Sequence, residues 1–181
     1  MERQAQGEPP EMDAETLAFL QQVLQEVRAG RAEEIGQYLI RGLPPNLRND
    51  KGDSLLMLAC YHGHADVARL LLEHGADPEQ ANDRGQTPLA AAAFKGDVGI
   101  VRLLLDMGAN IDGSGHDGRT ALITAAMFNR TEIVDLLLER GADIGLRDAG
   151  GFTAQAAAQA MNAPDTPGQL ERAAGSRAGS V

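Results

Sequence analysis

The chain has 181 residues, with sixteen Lys and Arg against twenty-six Asp and Glu, a net charge of −10. That acidity argues against non-specific nucleic-acid binding, and one cysteine, Cys60, excludes an internal disulfide. Apolar residues make up 43% but aromatics only 3%, so any core must come from Leu, Ala, Val and Ile.

Residues 1–12 are polar and read as a disordered tail. They hold no signal-peptide core, and no apolar run approaches the roughly 20 residues a membrane span needs. A cytoplasmic setting is expected, with no membrane or nucleic-acid partner. Residues 13–29 read as an amphipathic helix on Leu17, Leu20, Leu24 and Val27, capped by Asp13 or Thr16.

From Gly30 onward self-similarity governs the chain. Gly52, Gly85, Gly118 and Gly151 are spaced by 33. Gly75, Gly108 and Gly141 keep the same interval, as do the Leu triplets starting at Leu70, Leu103 and Leu136. Gly30 and Gly42 lie 33 before Gly63 and Gly75. GRAEEIGQYLIRG is therefore a degenerate first copy inside an N-terminal cap, 13–49. Three full copies follow at 50–82, 83–115 and 116–148. Within one of them, Thr87 is the N-cap and Pro88 the first helical turn of an Ala-rich helix to Phe94. Gly96 ends that helix. Val98, Ile100, Val101, Leu104 and Leu105 form the apolar face of a second helix, which stops at Gly108. At the C-terminal end, FTAQAAAQAMNA gives a first helix, and Pro164 and Pro167 then interrupt. The reading is a truncated cap over 149–163 and a mostly disordered tail over 164–181, with a frayed turn near 169–174.

Several residue groups invite chemistry. Gly113, Gly115 and Gly118 spell GxGxxG, but a Leu-rich helix precedes them where a dinucleotide fingerprint needs a strand, so a flexible inter-repeat hairpin is expected. Cys60, His62 and His64 are close in sequence, yet zinc needs three or four converging ligands and no second cluster accompanies them. Cys60 is expected as a buried thiol and His64 at the helix junction. Asp77 and Asp143, with Asn110 between, recur with the period and belong to turns. No catalytic residue, metal site or cofactor is expected.

The period, the start GQTPLAAAA at Gly85 with weaker starts at Gly52 and Gly118, and the ends LLLEHGADPE, LLLDMGANID and LLLERGADIG resemble the ankyrin repeat. The resemblance covers roughly residues 30–163. The family's usual His after the Leu is absent, replaced by Met57, Ala90, Ile123 and Ala156. The resemblance implies an all-α solenoid of helix-turn-helix units with β-hairpin-like loops, three full repeats and degenerate caps.

It also implies a non-catalytic, monomeric protein-interaction module with a concave groove. Carried over, the first hairpin tip supplies Asp50, Lys51 and Asp53. The second supplies Asp83, Arg84 and Gln86, and the third His116, Asp117 and Arg119. The first helices supply Tyr61, His62, Phe94, Lys95, Met127 and Phe128. Tyr61, Phe94 and Met127 form a row that either faces the groove or fills the gap between first helices. The overall acidity suggests a protein partner with a basic surface. Alternatives are an acidic inhibitor or immunity protein that blocks an enzyme, and a metal or enzymatic protein using Cys60, His62 and His64.

Overall fold

The computed structural model describes residues 13–178; the tail assigned to 1–12 lies outside the described residues. Ten helices follow in order: α1 (Ala14–Ala29), α2 (Ala32–Ile40), α3 (Leu55–His62), α4 (Ala65–Glu73), α5 (Pro88–Lys95), α6 (Val98–Asp106), α7 (Ala121–Met127), α8 (Thr131–Glu139), α9 (Ala154–Ala160) and α10 (Thr166–Ala178). Among the described residues no strand forms. Hairpin pairing is limited to one isolated bridge between Arg48 and Ser54 and to single closures such as Asn82 N–H to Gln86 O.

The period works through caps. Ser54, Thr87, Thr120 and Thr153 stand 33 apart, and each hydroxyl accepts the N–H three residues on, at 3.1–3.3 Å. That satisfies an amide the first turn leaves open. Each first helix then ends in a left-handed residue, Gly63 or Gly96 in two copies and Asn129 or Asn162 in the next two. Asn tolerates that conformation better than other side-chain-bearing residues, so the junction survives the loss of glycine.

The first helices α3, α5, α7 and α9 stack side by side, and the second helices α2, α4, α6 and α8 form a parallel row behind them. First helices touch both the next repeat and their own second helix, so Leu55–Cys60, Pro88–Ala93 and Ala121–Ala126 are buried along their whole length. Small Ala side chains permit that close stacking. Second helices bury one face only. In α6 this is Ile100, Val101, Leu103 and Leu104, with Val98 and Leu105 half-buried. No apolar face is fully covered within its own repeat, so the neighbour interfaces carry much of the stability.

The turns behind the second helices interlock. The Asp77 N–H meets Asn46 Oδ1, the Asn110 N–H meets Glu79 Oε1, and the Asp143 N–H meets Asp112 Oδ1, at 2.7–2.9 Å. Each of Asp77, Asn110 and Asp143 also accepts from the backbone two residues on. The recurring acidic residues are thus turn-builders.

Two stretches at the ends differ from the sequence reading. In α1 the buried residues are Val23 and Val27, while Leu24 is half-buried and Leu17 is 47% exposed. Val23 and Val27 lie 33 before Leu56 and Cys60, so α1 occupies a first-helix place and buries the same positions. Its cap is Asp13, whose carboxylate accepts the Thr16 N–H at 2.7 Å and is held below the usual Asp range by that bond. At the other end, residues 166–178 are not a tail with a frayed turn but helix α10, packed on α9 and α8. Pro167 falls in the first turn, where no N–H is needed, so the prolines start the helix instead of preventing it. Thr166 is fully buried and donates its hydroxyl to Ala126 O at 2.7 Å, and Leu170 is fully buried. Asn129 Oδ1 accepts the Asp165 and Thr166 N–H groups. The C-terminal cap therefore carries its second helix.

Candidate partner-binding groove

Along the first-helix side, the first two hairpin tips, α3 and the last turn of α1 frame a concavity of about 350 Å³. Asp50, Lys51, Asp53, Tyr61, His62, Arg84 and Gln86 all line it. So do Arg28, Asn49, Met57, Leu58 and Asn82, which the sequence reading did not single out. The signal was available for some of them. Arg28 lies 33 before Tyr61, and Asn49 lies 33 before Asn82.

A buried polar network shapes the hairpins. Asn49 Oδ1 accepts the N–H groups of Lys51 and Asp53, and Asn82 Oδ1 accepts those of Arg84 and Gln86. Asn82 Nδ2 donates to Asp53 Oδ1 at 2.7 Å, joining consecutive hairpins. Asp53 is buried and also accepts from Asn49 Nδ2 at 3.1 Å. Asp53 is therefore a structural carboxylate, not a free one.

The rings continue the groove. Tyr61 and Phe94 stack with centroids 6.2 Å apart, and Phe94 meets Phe128 edge-on at 4.6 Å. Lys95 Nζ lies 4.7 Å above the Tyr61 ring. Tyr61 and Phe128 are 40% and 38% exposed, and Phe94 is half-buried. Met127, expected as the third member of the row, instead packs half-buried against the core. Phe128 takes its place from the offset of Lys95. At that offset the side chain covers the ring of the preceding repeat, Lys95 over Tyr61 and Phe128 over Phe94. A ring edge and a cation both suit an aromatic face.

The remaining candidates lie outside the concavity. Asp83 turns to Arg48, with Oδ1 3.1 Å from Nη2. Asp117 Oδ1 accepts the Arg119 N–H, and Arg119 Nε approaches Asp148 Oδ2 at 3.7 Å. His116 is exposed on the third hairpin. That hairpin is displaced toward the second: a Cβ on Gly115 would lie 2.3 Å from the Gly85 carbonyl oxygen. Gly115 occupies the offset of Asn49 and Asn82, so here close backbone approach replaces the Asn side chain. The GxGxxG spelling is thus a packing requirement at a hairpin.

Cys60, His62 and His64 do not converge. Cys60 is fully buried in the core. His64 Nε2 lies 2.8 Å from Arg28 O. A carbonyl can only accept, so Nε2 carries the proton and the ring caps the end of α1. Among the described residues no group of three or more His, Cys, Asp or Glu could hold a metal. Burial, with the Asp97 carboxylate adding to it, pushes the Cys60 thiol far above its ordinary range. Native protein will react with a thiol reagent at least about 100-fold more slowly than urea-unfolded protein, with little acceleration between pH 7 and 9. Rapid native labelling would contradict this burial.

A family model described as ankyrin repeats (3 copies) matches residues 24–114 and 76–148, more than half the chain. The chain belongs to the ankyrin-repeat family. Ankyrin repeats are generally protein–protein interaction modules and generally non-catalytic. An ankyrin repeat protein of Pseudomonas aeruginosa is 59% identical over 61 residues, 34% of this chain and 36% of that protein. The match thus spans about a third of the curated relative. No helix of this ankyrin domain, among the described residues, is long and apolar enough to cross a membrane.

Proposed function

We propose that this ankyrin domain is a non-catalytic interaction module that holds a protein partner along its concave groove, as a monomer in the cytoplasm. The observation that carries the reading is the row of part-exposed rings, Tyr61, Phe94 and Phe128, opening beside the concavity at the hairpin tips. Exposed rings on rigid elements are what interface anchors require, because they bury much area at little entropy cost. The expected partner-binding set combines Asp50, Lys51, Tyr61, His62, Arg84, Gln86, Phe94, Lys95 and Phe128. Asp53 acts through hairpin shape. The scaffold is pre-packed, so docking demands little change in shape.

Affinity purification from the native cell with wild-type, Tyr61→Ser and Phe94→Ser baits tests this. Tyr61→Ser costs under about 1 kcal/mol of stability and Phe94→Ser about 1–2 kcal/mol, because Phe94 is half-buried between two rings whereas Tyr61 is 40% exposed. Both variants are expected to stay folded by circular dichroism and to lose the wild-type partner at least tenfold. Equal recovery of the same partner by all three baits would place the interface elsewhere.

A further inference from the structure

The charge of the groove is opposite to that of the chain. The sequence carries −10, yet the walls of the concavity hold Arg28, Lys51 and Arg84. None of the three makes an ion pair among the described residues, whereas Arg31, Arg48, Arg119 and Arg140 each stand beside a carboxylate. Two carboxylates share the concavity with these three cations: Asp53, whose oxygens already accept from Asn49 and Asn82, and the exposed Asp50, so the lining stays net positive. Lys95 adds a further cation beside Tyr61. His62 records the field: burial first, then the charges of His64, Arg28 and Lys95, hold its imidazole toward the neutral form.

The three cations come from three elements, α1 and two successive hairpins. None of them is held in an ion pair among the described residues, so an incoming carboxylate gains charge-assisted hydrogen bonds without displacing an internal partner. The concavity opens onto the ring row, which favours a chain over a small anion. The 6.2 Å spacing of the Tyr61 and Phe94 centroids is close to the roughly 6.6 Å between alternate side chains of an extended segment.

We propose that the groove takes an acidic segment of the protein partner in extended form, its Asp or Glu among Arg28, Lys51 and Arg84 and its apolar side chains on Tyr61 and Phe94. This rests on the interaction-module reading above. The basic surface suggested by overall charge is the wrong complement here, since it would meet three unpaired cations.

Random 12-residue peptides displayed on phage, selected against the full chain, test the assignment. Enriched peptides are expected to carry Asp or Glu beside aliphatic or aromatic residues. In solution their affinity is expected to fall about tenfold or more with Lys51→Glu/Arg84→Glu, and to fall similarly when the peptide's Glu is replaced by Gln. Both protein side chains are exposed, so the variant keeps its fold, which circular dichroism checks. Enrichment of neutral or basic peptides, or indifference to the charge reversal, overturns the acidic assignment. The module reading then still stands if Tyr61→Ser weakens those peptides. No enriched peptide, or peptides indifferent to both variants, overturns both.

Discussion

Leu104→Ala will lower the stability of the domain by about 3–4 kcal/mol, a large fraction of the margin by which a folded domain exceeds its unfolded chain. Leu104 is fully buried in α6, which packs against α4 on one side and α8 on the other as well as against α5. Truncation opens a cavity in a helix packed against three others, and packed surroundings relax into such a cavity only in part. In a quasi-one-dimensional array, a defect at the centre weakens two neighbour interfaces, whereas one at an end weakens one. Leu170→Ala offers the contrast. Leu170 is equally buried, but α10 has neighbours on one side only. Urea unfolding will show Leu104→Ala shifting the whole transition. Amide exchange will show Leu170→Ala speeding exchange in α10 while α5 and α6 stay protected. Equal, global effects of the two would mean that the solenoid unfolds as one indivisible unit.

Asn82→Ala will cost about 3 kcal/mol, although it removes no apolar surface. Asn82 is 4% exposed and makes four bonds at once: to Asp53, to Gln86 Oε1, and from the backbone of Arg84 and Gln86. Alanine leaves two amides short of an acceptor and a buried carboxylate short of a donor. The second hairpin also loses its shape, so Arg84 is no longer aimed at the groove. Asn82→Asp sharpens the test. It sets a second carboxylate where the amide now stands 2.7 Å from Asp53. One proton is then favoured between them, and the folded state holds it to a higher pH than the unfolded chain does. A raised carboxyl pKa penalises the fold above the unfolded value near 4, so this variant loses less stability at pH 4 than at pH 7. Thermal melts at the two pH values check the sign, and a variant equally weak at both would show that the charges do not meet.

Much of the groove was legible because the period transfers position from one copy to the next. Once Thr87 is read as a cap, Ser54, Thr120 and Thr153 follow, and so do the hairpin tips and the last turns of the first helices. Which of those positions face a groove came from the ankyrin resemblance: Lys51, Tyr61 and Arg84 were carried over from it, and they line one concavity. Arg28 escaped because α1 has lost the motif letters around it, although its offset from Tyr61 is intact. Phe128 joined the rings in place of Met127 because the row is set by which side chain covers the neighbouring ring, a contact between repeats that offset alone does not rank. At the C-terminal end, two prolines outweighed Thr166 and Leu170. Part of what α10 packs on, Ala126 of α7 and the face of α8, belongs to the preceding repeat.

The sequence alone determined the repeat and its 33-residue period, the Ser and Thr N-caps and the absence of an internal disulfide, because each depends on residues close along the chain. The tertiary structure decided which cations face one another across the hairpins, which carboxylate is already satisfied, and that the last helix forms. These depend on neighbours about a full repeat away, where packing and charge compensation act through space and leave little local trace.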